Sequence, residues 1–139
     1  MSRTNRCFIL ASLVYFLLGS LTGLLLAAEP VRSWLYGLGG NPRGMHAHLN
    51  LVGFMGMMIF GVGYHILPRF HGRPLYSETL ASLHFWLSNL GLVGMSAAFA
   101  AAPLAFLLPF FAAILLLSIL IFIFNLWRTV ALPVNGPGH

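Results

Sequence analysis

Six histidines stand in a chain of 139 residues whose other acidic and basic side chains number nine, seven basic and two acidic. A neutral imidazole ligates transition metals, and it exchanges a proton near neutral pH. An ionisable side chain in an apolar segment is costly, so it usually faces the protein interior and serves a site. His46 and His48 lie together in Gly44-Met45-His46-Ala47-His48-Leu49-Asn50, His65 and His84 close two apolar stretches around a short polar one, His71 lies within that polar stretch, and His139 is the last residue.

The donor set narrows the chemistry. Soft metals want thiolates and hard metals carboxylates, but the chain offers one cysteine, Cys7, and two carboxylates, Glu29 and Glu78, all at the edges of apolar stretches. Ligation by imidazole alone remains. It fits zinc or copper, and it fits haem iron, whose macrocycle buries well among Phe, Leu, Met and Gly. The candidate ligands are His46 and His48 at one end of the chain's second apolar stretch and His65 and His84 at the other. Arg32 and Arg43 precede His46 and are placed to pair haem propionates or, more simply, lipid headgroups.

Spacing limits what these residues can share. His46 and His48 are two positions apart, ~200° around a helix axis, so a regular helix cannot point both inward. One is then the ligand and the other faces the interface or a neighbouring chain. His65 follows His48 by 17 residues, about 25 Å along a helix, which excludes one iron between them. A second imidazole at His48 must come from His46 in an irregular segment or from another copy of the chain. A symmetric homo-oligomer supplies it economically, because one interface gives two equivalent ligands. His65 and His84 can approach each other, or His84 can simply bond Ser88, Asn89 or a backbone carbonyl. His71, between Arg69 and Arg73, reads as solvated.

The elements that hold these residues follow from composition. With 59% hydrophobic and 6% charged residues, most of the chain cannot be a solvated surface. Crossing ~30 Å of hydrocarbon takes about 20 apolar residues, and residues 7–28, 46–67, 80–100 and 104–127 meet that length. The expected fold is an all-α, integral membrane four-helix bundle, one domain over residues 1–139. The first stretch follows Arg3 and Arg6 as a signal peptide would, but it exceeds the ~7–15 residues of a signal h-region. Residues 29–45 read as a loop whose Trp34 and Tyr36 anchor at the interface. The hairpin around Ala101-Ala102-Pro103 makes the last two spans antiparallel neighbours.

All seven basic residues are arginine. They are dispersed among loops rather than gathered on one face, which excludes a nucleic-acid surface. Arg3, Arg6, Arg69, Arg73 and Arg128 fall on one side of the four spans, Arg32 and Arg43 on the other. The side richer in arginine is cytoplasmic by the positive-inside rule, so both termini are expected in the cytoplasm and the chain in the cytoplasmic (inner) membrane. Gly19 and Gly23 of the first span, and Gly53, Gly56, Gly61 and Gly63 of the second, allow close helix approach, within the chain or between copies. The fourth span, apolar on all sides, reads as lipid-facing and without chemistry. Residues 131–139 read as a frayed tail.

His48-Leu49-Asn50, followed by an apolar glycine-rich run to Gly61-Val62-Gly63-Tyr64-His65-Ile66-Leu67-Pro68-Arg69, resembles the second transmembrane helix of the catalytic subunit of haem-copper oxidases, closest to the nitric oxide reductase branch. Leu83-His84-Phe85-Trp86-Leu87-Ser88-Asn89-Leu90-Gly91 is similar to the start of that family's third helix. The resemblance covers residues 10 to 100, with the orientation the arginines give. It implies that His48, with His46 as competitor, is an axial ligand of a low-spin haem b. Members of that family have about twelve spans, and the later ones carry their remaining metal ligands. The expected function is therefore a b-type haem protein that transfers electrons, from a redox partner protein or quinone, or binds a diatomic gas. An accessory subunit of a larger oxidase or reductase and a copper- or zinc-binding membrane protein are the alternatives.

Overall fold

Ser2 caps the first helix, its Oγ accepting from the Asn5 N–H at 3.3 Å, and α1 runs from Arg3 to Ala27. Asn5, Phe8, Ser12, Tyr15, Gly19 and Thr22 recur every three or four residues and are buried, while Leu10, Leu13, Leu17, Leu21 and Leu24 are exposed. The packed stripe is thus more polar than the open one, the reverse of a soluble amphipathic helix. Lipid covers leucine as well as a protein core does, so small and hydrogen-bonding side chains take the helix contacts.

The computed structural model describes residues 1–131, which excludes His139 and nearly all of the expected tail. Four of its helices are long and apolar enough to cross a membrane: α1, α3 (Pro42–Phe70), α4 (Glu78–Ala100) and α5 (Ala102–Ala131). Residues 29–45, expected as loop, contain a further short helix, α2, from Val31 to Gly37. Glu29 starts it, accepting from the Ser33 hydroxyl at 2.8 Å, the Ser33 N–H at 3.3 Å and Arg32 Nε at 2.7 Å. The Ser33 hydroxyl and then the Arg32 guanidinium hold the Glu29 carboxyl below its ordinary range.

The chain then turns through Gly39, whose φ of 71° suits glycine, and docks on the hairpin between α4 and α5. Asn41 N–H donates to Phe99 O at 2.7 Å and Ala102 N–H to Leu38 O at 3.2 Å. Asn41 next caps α3 through its side chain, with Pro42 at the first helical position. The second span therefore begins four residues before His46, and both histidines lie inside a formed helix. From Leu49 to Gly56 this helix is wound as a π-helix before it returns to α-geometry at Met57.

Ser77 caps α4, its Oγ accepting from Leu80 N–H at 3.1 Å, and Glu78 in the first turn complements the helix dipole. After the bend at Ala101, α5 opens as a 3₁₀ turn over Ala102–Leu107 and continues as an α-helix from Leu108. α1 lies along α3, and α4 pairs antiparallel with α5. Close approaches are made at glycine: a Cβ at Gly53 would lie 2.7 Å from Tyr15 Cβ, and one at Gly91 3.0 Å from Leu115 N.

α5 is not the plain lipid-facing helix its composition suggests. Ser118, Asn125 and Thr129 are buried. Ser88 donates to Ser118 at 3.1 Å across the α4–α5 contact. Asn125 accepts from Ser77 N–H at 3.0 Å and donates to Ser77 O at 2.8 Å, while Thr129 Oγ1 accepts from Tyr76 N–H at 3.0 Å. These bonds tie the α3–α4 loop to α5 and satisfy the N–H groups of Tyr76 and Ser77 near the membrane.

Candidate functional site

His46 and His48 leave α3 on different flanks. The His46 ring lies in the groove that Gly19 and Gly23 open on α1: its Nδ1 is 2.9 Å from Gly19 O, and a Cβ at Gly23 would stand 2.8 Å from its Cε1. The glycine pair of the first span is thus used within the chain. His48 turns toward α4, with its ring centroid 5.0 Å from that of Phe99 and its Nδ1 2.9 Å from Gly44 O.

A carbonyl oxygen only accepts, so each Nδ1 must carry the proton and donate. Asn50 agrees with this at His46: its Nδ2 donates to His46 O at 2.9 Å, and its 3.3 Å approach to Nδ1 joins two donors and is no bond. Both rings are therefore held as the Nδ1–H tautomer, and their Nε2 atoms take no hydrogen bond among the described residues. A carbonyl on one ring nitrogen fixes ring orientation and raises the basicity of the other, the usual support of a metal-ligating histidine. The π-helix opens directly after His48, a distortion frequent at functional sites.

The expected helpers are arranged unequally. Arg32 is engaged by Glu29 in an ion pair. Arg43 lies over the Tyr36 ring, its Cζ 5.8 Å from the centroid, and makes no hydrogen bond among the described residues.

At the opposite end of the bundle, no hydrogen bond or ring contact joins His65 and His84 among the described residues. His84 is fully buried within Phe8, Phe60, Tyr64 and Phe122, with ring centroids 4.9 Å from Phe8 and 4.6 Å from Phe60. Its Nδ1 meets the Tyr64 hydroxyl at 3.1 Å, and its Nε2 is buried without a hydrogen-bond partner among the described residues. The expected bond to Ser88 or Asn89 is not made: Ser88 turns to Ser118 and Asn89 accepts from Tyr15 at 2.7 Å. His65 contacts the Arg69 guanidinium one turn along α3. His71, read as solvated, is half-buried and caps α3, its Nδ1 donating to Leu67 O at 2.9 Å. Among the described residues no three His, Cys, Asp or Glu side chains gather as a metal cluster.

Sequence reasoning missed Asn50 as a partner of His46 and Tyr64 as the partner of His84. The i, i+4 spacing of Asn50 from His46 was a readable signal. The Tyr64–His84 pair spans 20 residues and two helices, and only packing reveals it.

Known proteins resemble this chain in part. Cytochrome c oxidase subunit 1 of Rhodobacter capsulatus is 47% identical over 49 residues, which is 34% of this chain and 9% of that protein. The Cbb3-type cytochrome c oxidase subunit CcoN1 of Stutzerimonas stutzeri is 28% identical over 93 residues, 62% of this chain and 18% of that protein. Cytochrome c oxidase polypeptide 1 of Halobacterium salinarum is 34% identical over 90 residues, 62% of this chain and 14% of that protein. The chain thus spans less than a fifth of the length of each of these relatives. No solved structure matches it significantly. The family model of cytochrome c and quinol oxidase polypeptide I matches residues 1–135, nearly the whole chain, and the chain belongs to that family.

Proposed function

We propose that this chain is a b-type haem protein of the cytoplasmic membrane, that His48 is its axial ligand with His46 beside it, and that it works as a homo-oligomer. The observation that carries this reading is the pair of imidazoles held as Nδ1–H tautomers by the carbonyls of Gly44 and Gly19. That donor set fits haem iron: two neutral nitrogens are presented at one end of an apolar bundle with Arg43 nearby for a propionate. Haem bound there would supply a one-electron carrier or a seat for a diatomic gas.

The protein's part is to orient and to limit. Gly44 O and Phe99 fix the His48 ring, and the π-helix sets the phase of the residues beneath it. Because His46 and His48 lie against different helices, one chain would offer a haem one of these imidazoles. The second comes from the equivalent histidine of another copy. A haem held by two such imidazoles would supply electron transfer with a redox partner protein or quinone rather than gas binding.

The test is an absorption spectrum of the purified chain with haem extraction, joined to native mass spectrometry. A Soret band with a six-coordinate low-spin spectrum, in a species of two or more chains, supports the reading. A haem-loaded monomer whose reduced form takes up carbon monoxide supports gas binding instead. A colourless protein that copurifies with a larger oxidase, or that binds only zinc or copper, overturns it.

A further inference from the structure

At the end of the bundle away from His46 and His48, α1 and α4 enclose a cavity of about 310 Å³ lined by Arg3, Thr4, Cys7, Ser82, Phe85 and Trp86. Its lining is ordered by depth. Arg3 and Thr4 are in the first turn of α1 and Ser82 near the start of α4, whereas Cys7, Phe85 and Trp86 lie about one turn further along their helices. A cation and two hydroxyls form the mouth, and apolar groups form the floor.

Two further features limit what fits there. Arg3 makes no hydrogen bond or ion pair among the described residues, whereas Arg69 contacts His65, Arg73 donates to Thr129 O at 3.0 Å and Arg128 lies over Tyr76 at 5.1 Å. Trp86 is 67% exposed at the cavity wall, and Leu10 and Leu90, next along the two helices, are 62% and 53% exposed. The floor therefore opens onto an apolar surface that suits lipid tails, while the mouth holds a charge without a partner among the described residues, at the level of the headgroups.

We propose that this cavity is a binding site for one anionic phospholipid. The Arg3 guanidinium pairs with the phosphate in the bidentate manner open to arginine but not lysine. The Thr4 and Ser82 hydroxyls donate to remaining phosphate oxygens. An acyl chain passes over Cys7, Phe85 and Trp86 toward Leu10 and Leu90. Five of the seven arginines lie at this end of the bundle, so the surrounding field also favours anionic lipid over zwitterionic. The cavity size is at the lower limit of the ~300–1,000 Å³ typical of small-molecule sites, enough for a headgroup with its tails outside.

Cys7, the chain's single cysteine, is a native reporter of occupancy. The full chain is reconstituted in phosphatidylcholine alone or in an equimolar mixture with phosphatidylglycerol, and the rate of Cys7 alkylation by a small maleimide is measured, with retained lipid read by native mass spectrometry. Phosphatidylglycerol should slow alkylation about fivefold, the worth of one arginine against an anionic surface, and should be the lipid retained. Arg3→Gln should abolish the slowing and Arg128→Gln should keep it. Ser82→Leu, which fills the mouth, is an independent arm and should abolish lipid retention even if Arg3→Gln fails to fold. Equal alkylation rates in the two lipid mixtures, slowing that survives Arg3→Gln, or slowing reproduced by inorganic phosphate in phosphatidylcholine would each overturn the proposal, the last in favour of a free-phosphate site.

Discussion

The imidazole Nδ1 of His46 stands 2.9 Å from the carbonyl oxygen of Gly19, a contact made across two helices and 27 residues. It exists because α1 carries no side chain at 19 or 23. A Cβ at Gly19 would meet the Asn50 amide, its Cγ at 2.8 Å, and one at Gly23 would meet His46 Cε1 at 2.8 Å. The two glycines thus set the position of the histidine by absence.

Gly23→Leu should therefore push the His46 ring from its groove and cost about 1–3 kcal/mol, the usual penalty of overpacking. Gly37→Ala is the comparison, because a Cβ there meets nothing within 4 Å. Thermal or denaturant unfolding in mild detergent measures both. Equal effects of the two substitutions would show that the α1 groove is not tightly filled.

His48→Ala should remove most bound haem, and His46→Ala should retain haem with a shifted spectrum or potential. His48 has its Nδ1 satisfied within its own helix and its ring on Phe99, whereas His46 is closed in by Gly19, Gly23 and Asn50. Outer groups tune a site more than they create it. His71→Ala should leave haem content unchanged, since its Nδ1 is spent on Leu67 O. Haem content after purification from matched membranes is the measurement. Loss confined to His46→Ala would move the ligand two residues upstream.

Asn125→Leu should destabilise the fold by about 1–3 kcal/mol, because it leaves the N–H of Ser77 without its partner, while the C=O of Ser77 loses one of two bonds and keeps the one from Ala81 N–H. The α3–α4 loop should also become open to protease. An unfolding midpoint unchanged from the parent protein, with the loop still resistant, would mean that water replaces the amide there.

Much of this was legible in the sequence. The four spans, their antiparallel order and the use of helix-facing glycines follow from length and from the rule that small residues take the contacts in lipid. The start of α3 is legible too, since Asn41-Pro42 is a cap followed by a first-turn proline, although hydropathy alone begins the span at His46. The π-helix at Leu49–Gly56 was not legible, because hydropathy reports which residues are apolar and not which carbonyl each N–H reaches. Nor was the burial of Asn125 and Thr129: a span so apolar gives its few polar residues no periodicity to read. At the candidate site the residue types were in the sequence, whereas the tautomers came only from the carbonyls that the folded chain brings to each ring.

The orientation of the bundle in the membrane is the remaining prediction, with the ends of the chain, the loop around His71 and Arg128 on the cytoplasmic side. The helices gather Arg3, Arg6, Arg69, Arg73 and Arg128 at one end and leave Arg32 and Arg43 at the other, and the cytoplasmic side takes the excess of basic residues. On a Cys7→Ser background, Ser33→Cys and Thr79→Cys place single thiols at exposed positions on opposite ends. In intact cells an impermeant maleimide should label Ser33→Cys and should reach Thr79→Cys only after the membrane is opened. The reverse pattern would invert the topology and would put His46 and His48 at the cytoplasmic surface, where the proposed redox exchange would have to take place.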